Sequence, residues 1–153
     1  MKAPVLIIED GFEYIDRANQ WLAEDFEFTR AGSGQEALLL LKETPFELIY
    51  LDMNFNRTDA ELLLGPLGEM KERFGGDEEQ ALEFLFRHQG LYILAEIRGA
   101  GCLQPVLISY DFSAEPKRWQ HLKEKYDPIQ FLSDNVGPDQ VRTALTELLS
   151  LRS

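Results

Sequence analysis

Residues 47–54 read Glu47-Leu48-Ile49-Tyr50-Leu51-Asp52-Met53-Asn54, an apolar run that breaks off at a carboxylate. A short continuous apolar run is the pattern of a strand buried on both faces, as in the parallel sheet of an α/β protein. Such an interior has no structural need for an ionised side chain at its end, because burying an unpaired charge is costly. Asp52 therefore predicts two things together: a strand that ends at a functional rim, and a carboxylate held there for its chemistry.

The same pattern recurs on either side. Pro4–Ile8, Phe26–Ala31, Pro105–Tyr110 and Pro128–Leu132 read as four further strands. Between them the apolar period lengthens to that of helices. These are predicted at Phe12–Glu24 (with Ile15, Trp21 and Leu22 as apolar markers), after Gly32-Ser33-Gly34, at Gly90–Ala100, at Ala114–Tyr126 and at Pro138–Leu151. Five alternations of strand and helix predict an α/β protein with a doubly wound five-stranded parallel sheet, a flavodoxin-like three-layer sandwich. With 153 residues, the chain fits one domain over 1–153.

The bulk composition is that of a soluble globular protein, 44% hydrophobic and 27% charged. No apolar run is long enough to span a bilayer. The N-terminal stretch meets acid too early for a secretory signal. A single cysteine, Cys102, excludes an internal disulfide and fits a reducing cytoplasm. The net charge of −12 opposes nucleic acid and anionic membranes, leaving proteins, cations or small ligands as partners.

One segment falls outside the rhythm. Residues 55–89 stand where a strand-to-helix loop ordinarily needs about 2–6 residues, and they carry helix signals of their own. Thr58-Asp59-Ala60-Glu61 has the form of a capping box. Leu67, Met70, Lys71 and Phe74 follow at helical spacing after Gly65-Pro66, and Asp77 with Gln80 can cap a further helix beyond Gly75-Gly76. That last helix is expected to be able to continue through Gly90, since an interior glycine costs only about 1 kcal/mol. The insertion is predicted to be folded, and it leaves the sheet directly after Asp52.

In a doubly wound sheet the first and third strands are neighbours and ligands bind beyond their carboxyl ends. Glu9 and Asp10 would then lie beside Asp52. Three carboxylates so placed repel one another by roughly 3 kcal/mol per pair at 5 Å and an effective dielectric of 20. The cluster must bind a cation, take up protons or spread into solvent, and hard oxygen ligands suit Mg²⁺.

At this point the chain resembles the response-regulator receiver domain, the CheY-like module of two-component phosphorelay signalling. The pieces that carry the resemblance are "VLIIED", "RAGSGQEALLLL", "FELIYLDMN", "QGLYILAEIR", "PVLIS" and "FLSDNVGPDQV", in order and spanning nearly everything but the insertion. The resemblance implies that Glu9 and Asp10 match the acidic pair that holds Mg²⁺, the only cofactor it implies. Asp52 would match the aspartate phosphorylated by a histidine kinase, and Asn54 the position whose backbone carbonyl also ligates the metal. It also implies a surface for partners and dimers on the helix carrying Trp119, Leu122 and Tyr126, with the fifth strand and last helix.

Two switch positions depart from the family pattern. Asp134 stands where the family's lysine is expected after the fifth strand. Counting from Pro105-Val106 puts Tyr110 in the Thr/Ser position after the fourth strand, with Ser109 fitting after a one-residue slip. Without the lysine, a phosphoryl group bringing about −1.5 to −2 charge would meet further negative charge. Arg57 is the better-placed substitute cation; Lys117 and Arg118 are expected to reach the site only by chance.

Other motifs carry less. Gly32-Ser33-Gly34 lacks the Lys-Ser/Thr of a phosphate-binding loop and reads as a turn and helix cap. His88 and His121 are expected on helix surfaces, without metal spacing. Nothing beside Cys102 would lower its pKa. The Trp119, Leu122, Tyr126 stripe reads first as core packing.

The sequence thus predicts a non-enzymatic, cytoplasmic, atypical receiver that acts as a phosphorylation-independent signalling or protein-interaction module, its effect passing through a protein partner. A second reading is a working phosphoacceptor on Asp52 with Mg²⁺ held at Glu9, Asp10, Asp52 and Asn54. A third is a small flavodoxin-like protein that binds a nucleotide or other ligand.

Overall fold

The computed structural model describes residues 2–151. Strands β1 (Ala3–Ile8), β2 (Phe26–Ala31), β3 (Leu48–Asp52), β4 (Val106–Ser109) and β5 (Ile129–Leu132) form one parallel sheet in the order β2-β1-β3-β4-β5. Helices α1 (Glu13–Trp21) and α2 (Gly34–Glu43) follow β1 and β2, three helices, α3 (Leu67–Arg73), α4 (Glu78–Arg87) and α5 (Gln89–Gly99), lie between β3 and β4, and α6 (Pro116–Tyr126) and α7 (Pro138–Ser150) follow β4 and β5.

The inner strands β1, β3 and β4 are almost wholly apolar because both faces are covered, whereas the edge strands β2 and β5 admit Glu27, Thr29, Arg30 and Gln130. On one face Leu6, Ile8, Ile49, Leu51, Val106 and Ile108 are buried against Ile93, Leu94 and Ile97 of α5. On the other, Val5, Ile7, Leu48, Tyr50 and Leu107 meet Ala18 of α1, Leu22 just past its end, and Val141, Ala144, Leu145 and Leu148 of α7. The order in which strands are added reverses at β1, and Asp52 ends β3 next to it.

Helix α1 is shorter than the expected Phe12–Glu24, and its inward face differs. Trp21 is exposed, while Ala18 and Leu22, four residues apart, make the seam. The start of α2 is as read: the Ser33 hydroxyl accepts from the Glu36 amide at 3.2 Å.

The insertion folds onto itself and onto α5. Met70, Ala81 and Leu85 form a separate buried cluster, flanked by Leu63, Leu67, Phe74, Phe84 and Tyr92. Asp77 caps α4 by accepting from the Gln80 amide at 3.1 Å. The expected capping box at Thr58 does not form. Only a 3-10 turn, Ala60–Leu62, fits before Gly65-Pro66, and the Thr58 hydroxyl instead donates to the Gly32 carbonyl at 3.5 Å.

Helix α4 also fails to run on through Gly90: the chain breaks at His88, with φ −113° and ψ 12°, before α5 begins. The reason is what α5 must meet. The Phe55 amide donates to the Phe86 carbonyl at 2.9 Å, and the Gly90 amide to the Met53 carbonyl at 2.9 Å. A Cβ on Gly90 would stand 2.5 Å from the Asp52 carbonyl oxygen and 2.8 Å from the Met53 Cα. Both are backbone atoms and cannot rotate aside. Gly90→Ala is expected to destabilise the fold by about 1–3 kcal/mol and to shift the amide resonances of Asp52 and Met53, as measured by urea unfolding and NMR.

Candidate functional site

Register brings the site together. Asp52 on β3 pairs with Ser109 on β4, so Ser109, and not Tyr110, stands opposite the carboxylate. Tyr110, the residue counted from Pro105-Val106, follows directly after the end of β4 at Ser109. Tyr110 turns away: its hydroxyl donates to Glu115 Oε2 at 2.7 Å and its ring packs edge-on against Phe112.

Glu9 is buried, and its two carboxylate oxygens accept from the Tyr14 and Ile15 amides at 3.1 and 2.8 Å. It thereby satisfies free N–H groups in the first turn of α1 and meets the positive end of the helix dipole. Burial pushes its pKa up, with the two amides and Arg30 opposing. Asp10 Oδ2 accepts from the Arg57 amide at 2.6 Å. The Arg57 guanidinium is engaged with exposed Glu13, not with Asp52. The residue expected as substitute cation is thus spent on an exposed surface pair that solvent screens.

Asp52 Oδ1 accepts from the Met53 amide at 2.8 Å and lies 3.5 Å from the Tyr14 hydroxyl. That hydroxyl is 2.8 Å from Ser109 Oγ, which is itself buried. Burial pushes the Asp52 pKa up to about 7; the Met53 and Asn54 amides oppose this, while the Asp10 and Glu9 charges add to it.

The carboxyl opens into a cavity of about 490 Å³ lined by Asp52, Asn54, Arg87, His88, Ser109, Tyr110, Arg118 and Asp134, among others. Asp134 is exposed at its rim, so solvent screens the carboxylate expected to crowd Asp52. Arg118 does reach this cleft, contrary to expectation, because the β4–α6 loop brings the first turn of α6 over it; its guanidinium is bonded to Glu115 at 2.9 Å. Arg87 comes from the insertion and pairs with Glu83 at 3.4 Å. His88 is not a helix-surface residue. It is the half-buried break between α4 and α5, stacked on Phe84 at 4.2 Å. His121 is exposed on α6, as expected.

Trp119 and Tyr126 pack against the core, Trp119 edge-on to Phe131 at 4.8 Å. Trp119 and Phe131 also border a shallow depression with Leu148 and Leu151.

Tyr14, Arg87 and His88 are the residues that sequence reasoning passed over. Tyr14 had a signal: it lies four residues, about one helical turn, beyond Asp10. The other two had none, because nothing in the insertion's pattern says where its helices dock.

Among the described residues, no three His, Cys, Asp or Glu side chains converge as metal ligands. Glu9, with both oxygens committed, would stand outside a metal's first shell. Mg²⁺ nevertheless needs only one or two carboxylates and keeps several waters. Asp10, Asp52 and the Asn54 carbonyl are the hard oxygens that would hold such an ion, supplying oxygen donors where burial and the neighbouring carboxylates already raise the Asp52 pKa.

A doubly wound parallel sheet with acids gathered beyond its first and third strands defines the class, a flavodoxin-like α/β sandwich. Within that class the chain has the CheY-like receiver-domain fold. It superposes on the receiver domain of the Francisella response regulator 1452 with TM-score 0.66 and 16% identity, covering 99% of this chain and 100% of that one. The Vibrio cholerae chemotaxis protein CheY4 gives 0.65 and 17%, covering 97% and 99%. A CheY-like receiver protein from Methanospirillum hungatei gives 0.61 and 15%, covering 98% and 95%. No protein-family model and no curated protein matches the sequence. Among the described residues no helix is long and apolar enough to cross a membrane.

Proposed function

We propose that the protein is an atypical receiver that works as a signalling and protein-interaction module without phosphorylation of Asp52, and that it is not an enzyme. One observation carries this reading: among the described residues no Lys or Arg is paired with Asp52, and the side chain beside its Oδ1 is the neutral phenol of Tyr14, 3.5 Å away. Asp52 is already pushed up to about 7 by burial and its acidic neighbours. A phosphoryl group would add about −1.5 to −2 charge, at a cost of several kcal/mol in a site of low effective dielectric. Output would pass through a protein. The face formed by α6, β5 and α7, with Trp119, Phe131 and Leu151, supports that role, and the net charge of −12 favours a basic partner surface.

A second reading is favoured by Arg87 and Arg118, which bring guanidinium groups to the Asp52 cleft. On it Asp52 accepts a phosphoryl group from a histidine kinase, with Asp10, Asp52 and the Asn54 carbonyl holding Mg²⁺ and Arg118 releasing Glu115 to meet the new charge.

The phosphoryl mimic beryllofluoride separates the two. Titrated in excess Mg²⁺, it is expected to leave Trp119 fluorescence and the amide resonances of Ser109 and Tyr110 unmoved. Saturable binding that Asp52→Asn abolishes would overturn the first reading and establish the second.

A further inference from the structure

We infer that Tyr14 is the residue that closes Asp52 and Ser109 to a tetrahedral oxyanion, which makes it the specificity-determining group of the cleft. This rests on the phosphorylation-independent reading and supplies its structural cause. The phenol oxygen lies 2.8 Å from Ser109 Oγ and 3.5 Å from Asp52 Oδ1. It holds the point from which an oxygen of any group seated on Asp52 would reach the Ser109 hydroxyl. A hydroxyl can both donate and accept, so Tyr14 serves the two side chains without bringing charge.

The ring is held in place from several sides. It stacks on Tyr50 with centroids 5.2 Å apart and planes 11° apart. The Arg17 guanidinium lies 5.5 Å from its centroid. Its backbone amide is bonded to Glu9 at the start of α1. Swinging the phenol out would give up the stack and leave a buried Ser109 hydroxyl without this partner. An oxyanion competing for the position must offset both losses, and it would meet the Asp10 and Glu9 carboxylates. Core packing alone would place a phenylalanine here equally well; the hydroxyl is what the site uses.

The test uses the full chain, with beryllofluoride and Mg²⁺ in excess and fluorine NMR as the readout. The unaltered protein is expected to show no protein-bound fluorine resonance. Tyr14→Ala is expected to gain one, and to lose it again when combined with Asp52→Asn. Tyr14→Phe keeps the ring and the stack on Tyr50 but withdraws the Tyr14 hydroxyl from Ser109, and is expected to gain a weaker bound signal. Should Tyr14→Ala not fold, as judged by circular dichroism, Tyr14→Phe decides alone. Folded Tyr14 variants as silent as the unaltered protein overturn the inference and leave the phosphorylation-independent reading intact. A bound resonance in the unaltered protein overturns both.

Discussion

Arg98→Ala is expected to lower the stability of the fold by about 3–4 kcal/mol, more than any surface substitution. The guanidinium of Arg98, near the end of α5, donates to four backbone carbonyls. Nε meets Tyr126 at 2.9 Å, Nη1 meets Cys102 and Gln104 at 2.8 Å each, and Nη2 meets Pro128 at 3.1 Å. Those carbonyls belong to the loop entering β4, the end of α6 and the approach to β5, so one side chain ties three connections together. Its pKa is lowered chiefly by desolvation, a sign that the charge is drawn from water into this knot. Arg98→Lys should recover only a minor part of the loss, because a single ammonium cannot span carbonyls arranged for a planar fork. Urea unfolding measures both. At roughly 2–4 °C per kcal/mol for a chain of this size, the melting point should fall by about 10 °C. A loss under about 1 kcal/mol for Arg98→Ala would mean that water replaces the guanidinium at little cost.

Arg98 also shows where sequence reading stops. Periodicity places it on one stripe with Leu91, Leu94 and Ala95, but spacing counts positions and not chemistry. The sheet was legible for the converse reason: strands buried on both faces are apolar at every position, and the helices between them keep a clean period. Asp52 stood out because a carboxylate breaks such a run.

The choice between Ser109 and Tyr110 could not be made from strand boundaries alone. Which of the two lies opposite Asp52 depends on the pairing of β4 with β3, a non-local property in which a shift of one residue turns every side chain to the other face. The insertion was recognisable as helical, but not its destination. Its two short helices bury their apolar faces on each other and on Tyr92 of α5. The contacts that join it to the site run through backbone groups at Phe55, Phe86 and Gly90, which no side-chain pattern reports.

Stability should fall as the pH rises from about 4 to 7, and Asp52→Asn should abolish most of that fall. Asp52 titrates at about 7 in the folded protein against an ordinary 3.8. Between those values the folded protein keeps a proton that the unfolded chain has released, so each step up in pH favours unfolding. The contribution is complete below about pH 4, is lost through pH 7 and is flat above it. Its full extent is roughly 4 kcal/mol. Glu9, also raised by burial, adds to the same slope. Glu13, Asp111 and Glu115 are held below the usual carboxylate range by exposed partners, so they act in the opposite sense and at lower pH. Asparagine at position 52 keeps an oxygen for the Met53 amide but cannot ionise. The variant should match the unaltered protein near pH 4 and exceed its stability by a few kcal/mol at pH 8, in chelator. Excess Mg²⁺ at pH 8 should return part of the loss in the unaltered protein alone, because a cation among Asp10, Asp52 and the Asn54 carbonyl does for the ionised cluster what the proton does at lower pH. Urea unfolding from pH 4 to 8 provides the comparison. Parallel profiles for the two proteins would show that Asp52 ionises at no cost to the fold, and the charge argument against a phosphoryl group at this site would fall with it.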